Sequence, residues 1–123
     1  MLLKILKIIL ISFFSFNLIS SEKENYGCDL GFESIVEKKI CVKNLENNED
    51  RKLGLMNLEK LSKFHQVNFI WNGKRKIRCM WMKNTSIPLD ILFVDRFKFV
   101  IEKGEPFSEK KICHPAIKVI EAN

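Results

Sequence analysis

Five side chains able to bind a ligand or move a proton fall in the stretch MWMKNTSIPLD (80–90): Trp81, Lys83, Asn84, Thr85 and Asp90. An indole face, an ammonium, an amide, a hydroxyl and a carboxylate are the groups that hold a sugar or a peptide end when they converge on a hollow. Asp90 could also act as a general base, although no second carboxylate or histidine lies near it in sequence to share the work. The third reading is structural. A carboxylate on a strand is costly to bury unless it is paired, and Lys83 and the backbone N–H groups of the Asn84–Ser86 corner are its expected partners. The three readings make Asp90 a clasp, a ligand contact or a hydrolase-like base.

The remaining reactive residues are sparse. Cys28, Cys41, Cys79 and Cys113 form an even set, which outside the cytosol tends to pair. Three connectivities are open. The pairing Cys28–Cys41 with Cys79–Cys113 is expected, because the first closes a short local loop and the second ties a central strand to the C-terminal segment. His65 and His114 are the two histidines, and no Cys-x-x-Cys or His-x-x-x-His spacing accompanies them. The expectation is therefore no metal and no cofactor. Lys74, Arg75 and Lys76, with Arg78, make a basic cluster suited to weak contact with anionic lipid headgroups or an acidic partner. Nucleic acid is not expected for an exported domain.

The elements that must position these groups are mostly strands. The runs 66–71, 77–82, 89–95, 97–102 and 116–122 alternate or are apolar enough to read as strands, and 34–45 is β-rich. In 77–82, Met80 and Met82 share a face with Arg78, opposite Ile77, Cys79 and Trp81. Asp90 shares a face with Leu92 and Val94, and Phe97, Phe99 and Ile101 share another. Asn72-Gly73 predicts a tight hairpin between 66–71 and 77–82. One short helix is expected after Asn47 as its cap, ending at Gly54, with a further turn over 58–61. Residues 104–111 read as loop, and Pro88 makes the corner before Leu89 rigid.

Of the 123 residues, 2–19 carry Lys4 and Lys7 ahead of an apolar run from Ile8 to Phe16, then Asn17 and Ser20-Ser21. This is the order of a secretory signal, and the run is shorter than a spanning helix needs. Residues 1–21 are read as a signal peptide or an uncleaved anchor, 22–34 as a linker and 35–123 as one β-rich domain. Without the leader the formal charge falls from +6 to +4. The expected location is exported: periplasmic, secreted or membrane-anchored.

Gly-Leu-Met at 54–56, then WMKNTSIPLDILFVD at 81–95 and the strand IKVIEA near the end, resemble the domain of unknown function 192 family. The family pattern is a helix ending in Gly-Leu-Met, a strand ending in Trp-Met-Lys-Asn-Thr, and Pro-Leu-Asp before a strand with a Phe. It is matched at Trp81, Met82, Lys83, Asn84, Thr85, Pro88, Leu89, Asp90 and Phe93, and the resemblance covers roughly 38–121. It implies a small, mostly β, often exported protein and no established activity. Three departures stand out. Gln66-Val67 replace a Gly-Met pair, Asp95-Arg96 replace a turn with glycine, and about twenty residues usual after the last strand do not follow Glu121.

The expectation is a mainly β fold, a small antiparallel sandwich or open barrel with one short helix, lacking C-terminal strand structure relative to the family and so exposing a sheet edge. Its function is expected to be binding of a small polar ligand or an envelope protein near the Trp81–Asp90 corner. The alternatives are a hydrolase-like enzyme using Asp90 and a purely structural accessory.

Overall fold

Eight strands, one short α-helix and a 3-10 turn fill residues 27–123, which are those the computed structural model describes. The leader read over 1–21, and the first residues of the linker, lie outside the described residues. The strands are β1 (Glu33–Ile35), β2 (Ile40–Leu45), β3 (His65–Ile70), β4 (Lys76–Met80), β5 (Leu89–Val94), β6 (Phe99–Gly104), β7 (Ile112–Ala116) and β8 (Lys118–Ala122). Helix α1 spans Asn48–Leu53. Six strands form one sheet in the order β1-β2-β3-β8-β5-β6, and β4 and β7 form a separate ribbon. All pairings are antiparallel except β2 with β3. A parallel pair needs a crossover, and the segment containing α1 supplies it.

The helix starts and stops where its end residues require. Asn47 accepts the Asp50 N–H at 2.8 Å, which satisfies one orphan donor. Gly54 has φ +50°, and a Cβ there would stand 3.2 Å from Phe69 Cζ. Glycine is needed for both reasons. None of the helix's own residues is fully buried, so its caps and Arg51 hold it: Arg51 donates to the Ile70 carbonyl at 2.7 Å.

Strict alternation on β3 and β5 sends Val67, Phe69, Leu89, Ile91 and Phe93 inward. Val119 joins them from β8, and Met80 and Ala116 from the ribbon close the layer. Each such fully buried aliphatic or aromatic side chain contributes about 1.5–3 kcal/mol. The fold is therefore a small two-layer arrangement of mostly antiparallel sheets, not a closed barrel.

Several expectations change. The Asn72-Gly73 turn does not join a hairpin: β3 lies in the large sheet and β4 pairs with β7. Gly73 does take a positive φ of +72°, but the chain uses the turn to change layers. The β-rich run 34–45 is broken by the 3-10 turn at Val36–Lys38, and residues 58–61 are irregular rather than helical. β7 was not among the expected strands: the loop expected over 104–111 is followed by a strand at Ile112–Ala116 that contains Pro115. A two-stranded ribbon leaves one side of each strand unpaired, where a missing N–H costs nothing. The face of Phe97, Phe99 and Ile101 points to solvent, with all three exposed.

Both disulfides form as expected. Cys28–Cys41 anchors the segment ahead of β1, whose first residues fall within the stretch read as linker. Cys79–Cys113 bridges directly opposed residues of the ribbon.

Candidate functional site

The corner that drew attention in the sequence is held by its backbone. Thr85 N–H donates to the Met82 carbonyl at 3.1 Å, and Asn84 takes the left-handed φ of +53° that an asparagine tolerates. The Asn84 carbonyl accepts from Asn57 N–H at 2.9 Å, and the Thr85 carbonyl accepts from Phe107 N–H at 2.9 Å. The Thr85 hydroxyl donates to the Lys83 carbonyl at 3.2 Å. The corner thus staples the loop after α1 to the loop after β6.

Asp90 takes no part in it. Its carboxylate pairs with Lys103, its cross-strand neighbour on β6, and its side chain is 49% exposed on the outer face of the sheet. Lys83 is elsewhere, with Nζ 5.1 Å from the Trp81 ring centroid, and Lys111 stands 6.0 Å from the same ring. The Asp90–Lys83 clasp is therefore absent. Strand register, which gives Asp90 a nearer cation on the adjacent strand, is the reason. Asp90 and Lys103 border a separate, more open hollow of about 220 Å³ with Pro88, Gly104 and Asn123. The expected group splits: Trp81 and Thr85 line a different cavity, Asp90 faces away from it, and neither Lys83 nor Asn84 is among that cavity's lining residues.

That cavity has a volume of about 210 Å³ and lies between the end of α1, β3 and the start of the corner. Phe69, Met56, Met80 and Trp81 wall it, and Arg51 and Lys52 stand on its α1 side. Its polar lining includes Glu121. This residue sits on β8 between Val67 and Ile91, both wholly buried, and is itself 3% exposed. No donor among the described residues bonds its carboxylate, and burial alone pushes its carboxyl up to about 8. An isolated ionised carboxylate in such surroundings is expensive, so the group keeps its proton instead. At neutral pH it is a hydrogen-bond donor facing a cavity.

The sequence reading passed over Glu121. A signal was present: two-residue alternation along Lys118-Val119-Ile120-Glu121-Ala122 places the carboxylate on the same face as Val119. The cavity is continuous in its lining with a wider groove of about 470 Å³ that reaches Trp71. Arg51 and Arg78 both lie over the Trp71 ring, at 5.5 and 4.2 Å. Burial first, and then the charge of Arg51, lower the Arg78 pKa. Arg51 and Lys52 line the groove together with Glu49.

The other candidates lie apart. His65 packs beside the Cys28–Cys41 bridge, with ligand-type atoms within 4.8 Å of one another, but both sulfurs are spent in the disulfide. Its ring is fully engaged as well: Nε2 accepts Asp29 N–H at 2.9 Å, so Nδ1 carries the proton toward the Lys63 carbonyl at 3.0 Å. His114 meets Glu102 at 2.9 Å and stands edge-on to Phe93. In the basic cluster, Arg75 is paired with Asp95 at 2.8 Å, and that hydrogen bond holds the Asp95 carboxyl below its usual range. Lys74 and Lys76 remain exposed.

Comparison with known proteins agrees with this geometry and adds no activity. A solved structure from Sinorhizobium meliloti 1021, described as that of a proposed transcription regulator, is 31% identical, with 68% of each chain covered and a TM-score of 0.61. A protein of unknown function from Novosphingobium aromaticivorans DSM 12444 is 19% identical over 84% of this chain and 87% of its own, also at a TM-score of 0.61, and shares the fold. No curated protein matches the chain. The model of the family DUF192, described as "Uncharacterized ACR", matches residues 32–123, and the chain belongs to that family.

Proposed function

We propose that this protein is an exported, non-enzymatic binding module that takes a small polar ligand into the cavity floored by Glu121. The observation that carries the reading is the unpartnered, buried carboxyl opening into a cavity. Natural folds rarely leave such a group without a partner, and a ligand oxygen accepting its proton would supply one. The cavity is smaller than the ~300–1,000 Å³ of sites for drug-sized ligands, so the buried part of the ligand is small. Its walls are apolar, and Arg51 and Lys52 lie on one side. The ligand that fits has a neutral oxygen acceptor at its inner end, a compact apolar middle and a negative group at its outer end. Export is supported by the Lys4–Phe16 leader pattern and is consistent with two disulfides, which persist in oxidising compartments.

A second reading, acid catalysis by Glu121, draws on the same proton, because a raised carboxyl is what general acid chemistry at neutral pH needs. Binding is favoured over it, since among the described residues Glu121 is the single acidic one lining the cavity and the Thr85 hydroxyl is already turned to a carbonyl.

The test is a thermal-shift and calorimetric screen of the purified protein against small hydroxy acids, acetylated amino sugars and peptidoglycan fragments. Hits should bind the wild type, lose at least about tenfold in affinity in Glu121→Leu, and weaken as pH rises through about 8. Hits indifferent to Glu121 and to pH, or no hit in any class, would overturn the reading. Turnover of a bound hit would select the catalytic alternative.

A further inference from the structure

The β6 strand is the outer edge of the six-stranded sheet. Its outer face carries Phe99 and Ile101, 63% and 56% exposed, and Phe97 beside them is 94% exposed. An exposed apolar edge of this kind is a template for another strand. The hydrogen-bond phase defines what the edge offers. Asp95 N–H donates to the Lys98 carbonyl at 2.8 Å, closing the β5–β6 turn. In an antiparallel pair, hydrogen-bonded and non-bonded positions alternate. With the observed register of Phe93 opposite Val100 and Ile91 opposite Glu102, the backbone groups of Lys98, Val100 and Glu102 therefore point to β5. Those of Phe99, Ile101 and Lys103 point outward.

We propose that the protein forms a two-fold dimer in which β6 pairs antiparallel with β6 of a second copy, centred on Val100. The phase allows outward-facing residues to pair only with each other, which restricts the central registers to those centred on Phe99, Val100 or Ile101. Centring on Phe99 sets Lys98 against Val100. Centring on Ile101 sets Phe99 against Lys103 and Glu102 against Val100. The Val100 centre is the one that places Lys98 of each copy opposite Glu102 of the other, and Phe99 opposite Ile101. It thus makes two ion pairs on the inner face and two apolar cross-strand contacts on the outer face, the pair types that stabilise a sheet. Glu102 already meets His114 through Oε1, and a carboxylate has acceptor sites to spare for a lysine. The two six-stranded sheets then run on as one, and two exposed edges disappear. This proposal is independent of the Glu121 cavity.

The experiment is sedimentation velocity on the full-length protein across a concentration series, comparing wild type, Lys98→Glu, Glu102→Lys and an equal mixture of the two variants. The wild type should dimerise. Each single variant puts like charges face to face twice, and its dimer dissociation constant should rise at least about tenfold. In the mixture every facing pair is again opposite in sign, so the heterodimer should recover wild-type strength. A wild type that stays monomeric at the highest concentration reached would overturn the proposal. Association that neither reversal weakens would do the same, as would a mixture that fails to recover. Circular dichroism of each variant verifies that the fold persists, and Ile101→Pro gives a second route. It removes an outward N–H that β5 does not use, so a folded Ile101→Pro protein that still dimerises would also refute the pairing.

Discussion

Replacing Glu121 by glutamine should invert the usual expectation for a buried charged residue, stabilising the protein increasingly as pH rises above 4.5 and leaving it nearly unchanged below that. The carboxyl titrates at about 8 in the fold against an ordinary value of 4.5. The folded state therefore holds a proton that the unfolded chain has released over the interval between them. The stability associated with the neutral acid is fully present below pH 4.5, and it falls as pH rises until the folded group itself ionises near 8. Each pH unit in that window is worth 1.36 kcal/mol, so the whole span is on the order of 5 kcal/mol. That is a large share of the ~5–15 kcal/mol that keeps a domain folded. Glutamine keeps the size and the donor and has nothing to ionise. Urea denaturation of both proteins at half-unit steps from pH 4.5 to 9 is the assay. The other titrating groups act on both proteins alike and cancel in the difference. The difference should be near zero at pH 4.5 and grow to several kcal/mol in favour of Glu121→Gln by pH 8.5. A flat difference across that range would mean that the carboxylate is solvated or paired in the fold, and the cavity argument would go with it.

The disulfides close loops of 34 and 13 residues. Chain-entropy estimates make Cys79→Ser/Cys113→Ser lose about 4 kcal/mol and Cys28→Ser/Cys41→Ser about 3 kcal/mol, both read from denaturation midpoints. Asp90→Asn should cost less than about 1 kcal/mol, because its partner Lys103 is 75% exposed and surface pairs contribute little. A loss of several kcal/mol in the same denaturation assay would restore Asp90 as a structural clasp.

Much of the fold could be read from local pattern. Alternation over 89–94 separated Leu89, Ile91 and Phe93 from Asp90, Leu92 and Val94, although the face expected to make Asp90 costly is the outer one; Asn47 and Gly54 bounded the helix, and both cysteine pairs formed as expected. What could not be read was set by pairing between distant segments. Asn72-Gly73 carries a turn conformation, but which strand β4 joins depends on β7, more than thirty residues later, and on the Cys79–Cys113 link. The partner of Asp90 was sought within seven residues. The β5–β6 register instead delivers Lys103 from across the ladder. Local chemistry specifies turns and caps, whereas register specifies which side chains meet.

Glu121 shows the same division more sharply. Its face was legible from two-residue alternation, but the cost of placing a carboxyl there was not, because that depends on what packs around it. Val67 and Ile91 on the flanking strands remove water from two sides, and the end of α1 and the corner near Thr85 enclose a cavity on another. A stable core would be served better by leucine at this position, since a lone buried acid brings a desolvation cost and no bond in return. The corner between Trp81 and Asp90 ties its backbone carbonyls to Asn57 and Phe107, and Asp90 has Lys103. Glu121 is where local pattern and packing disagree with no compensating contact among the described residues, and such conflicts are expected at functional sites. The physical case for a ligand rests on this imbalance, with the densely polar corner serving to build one wall of the cavity.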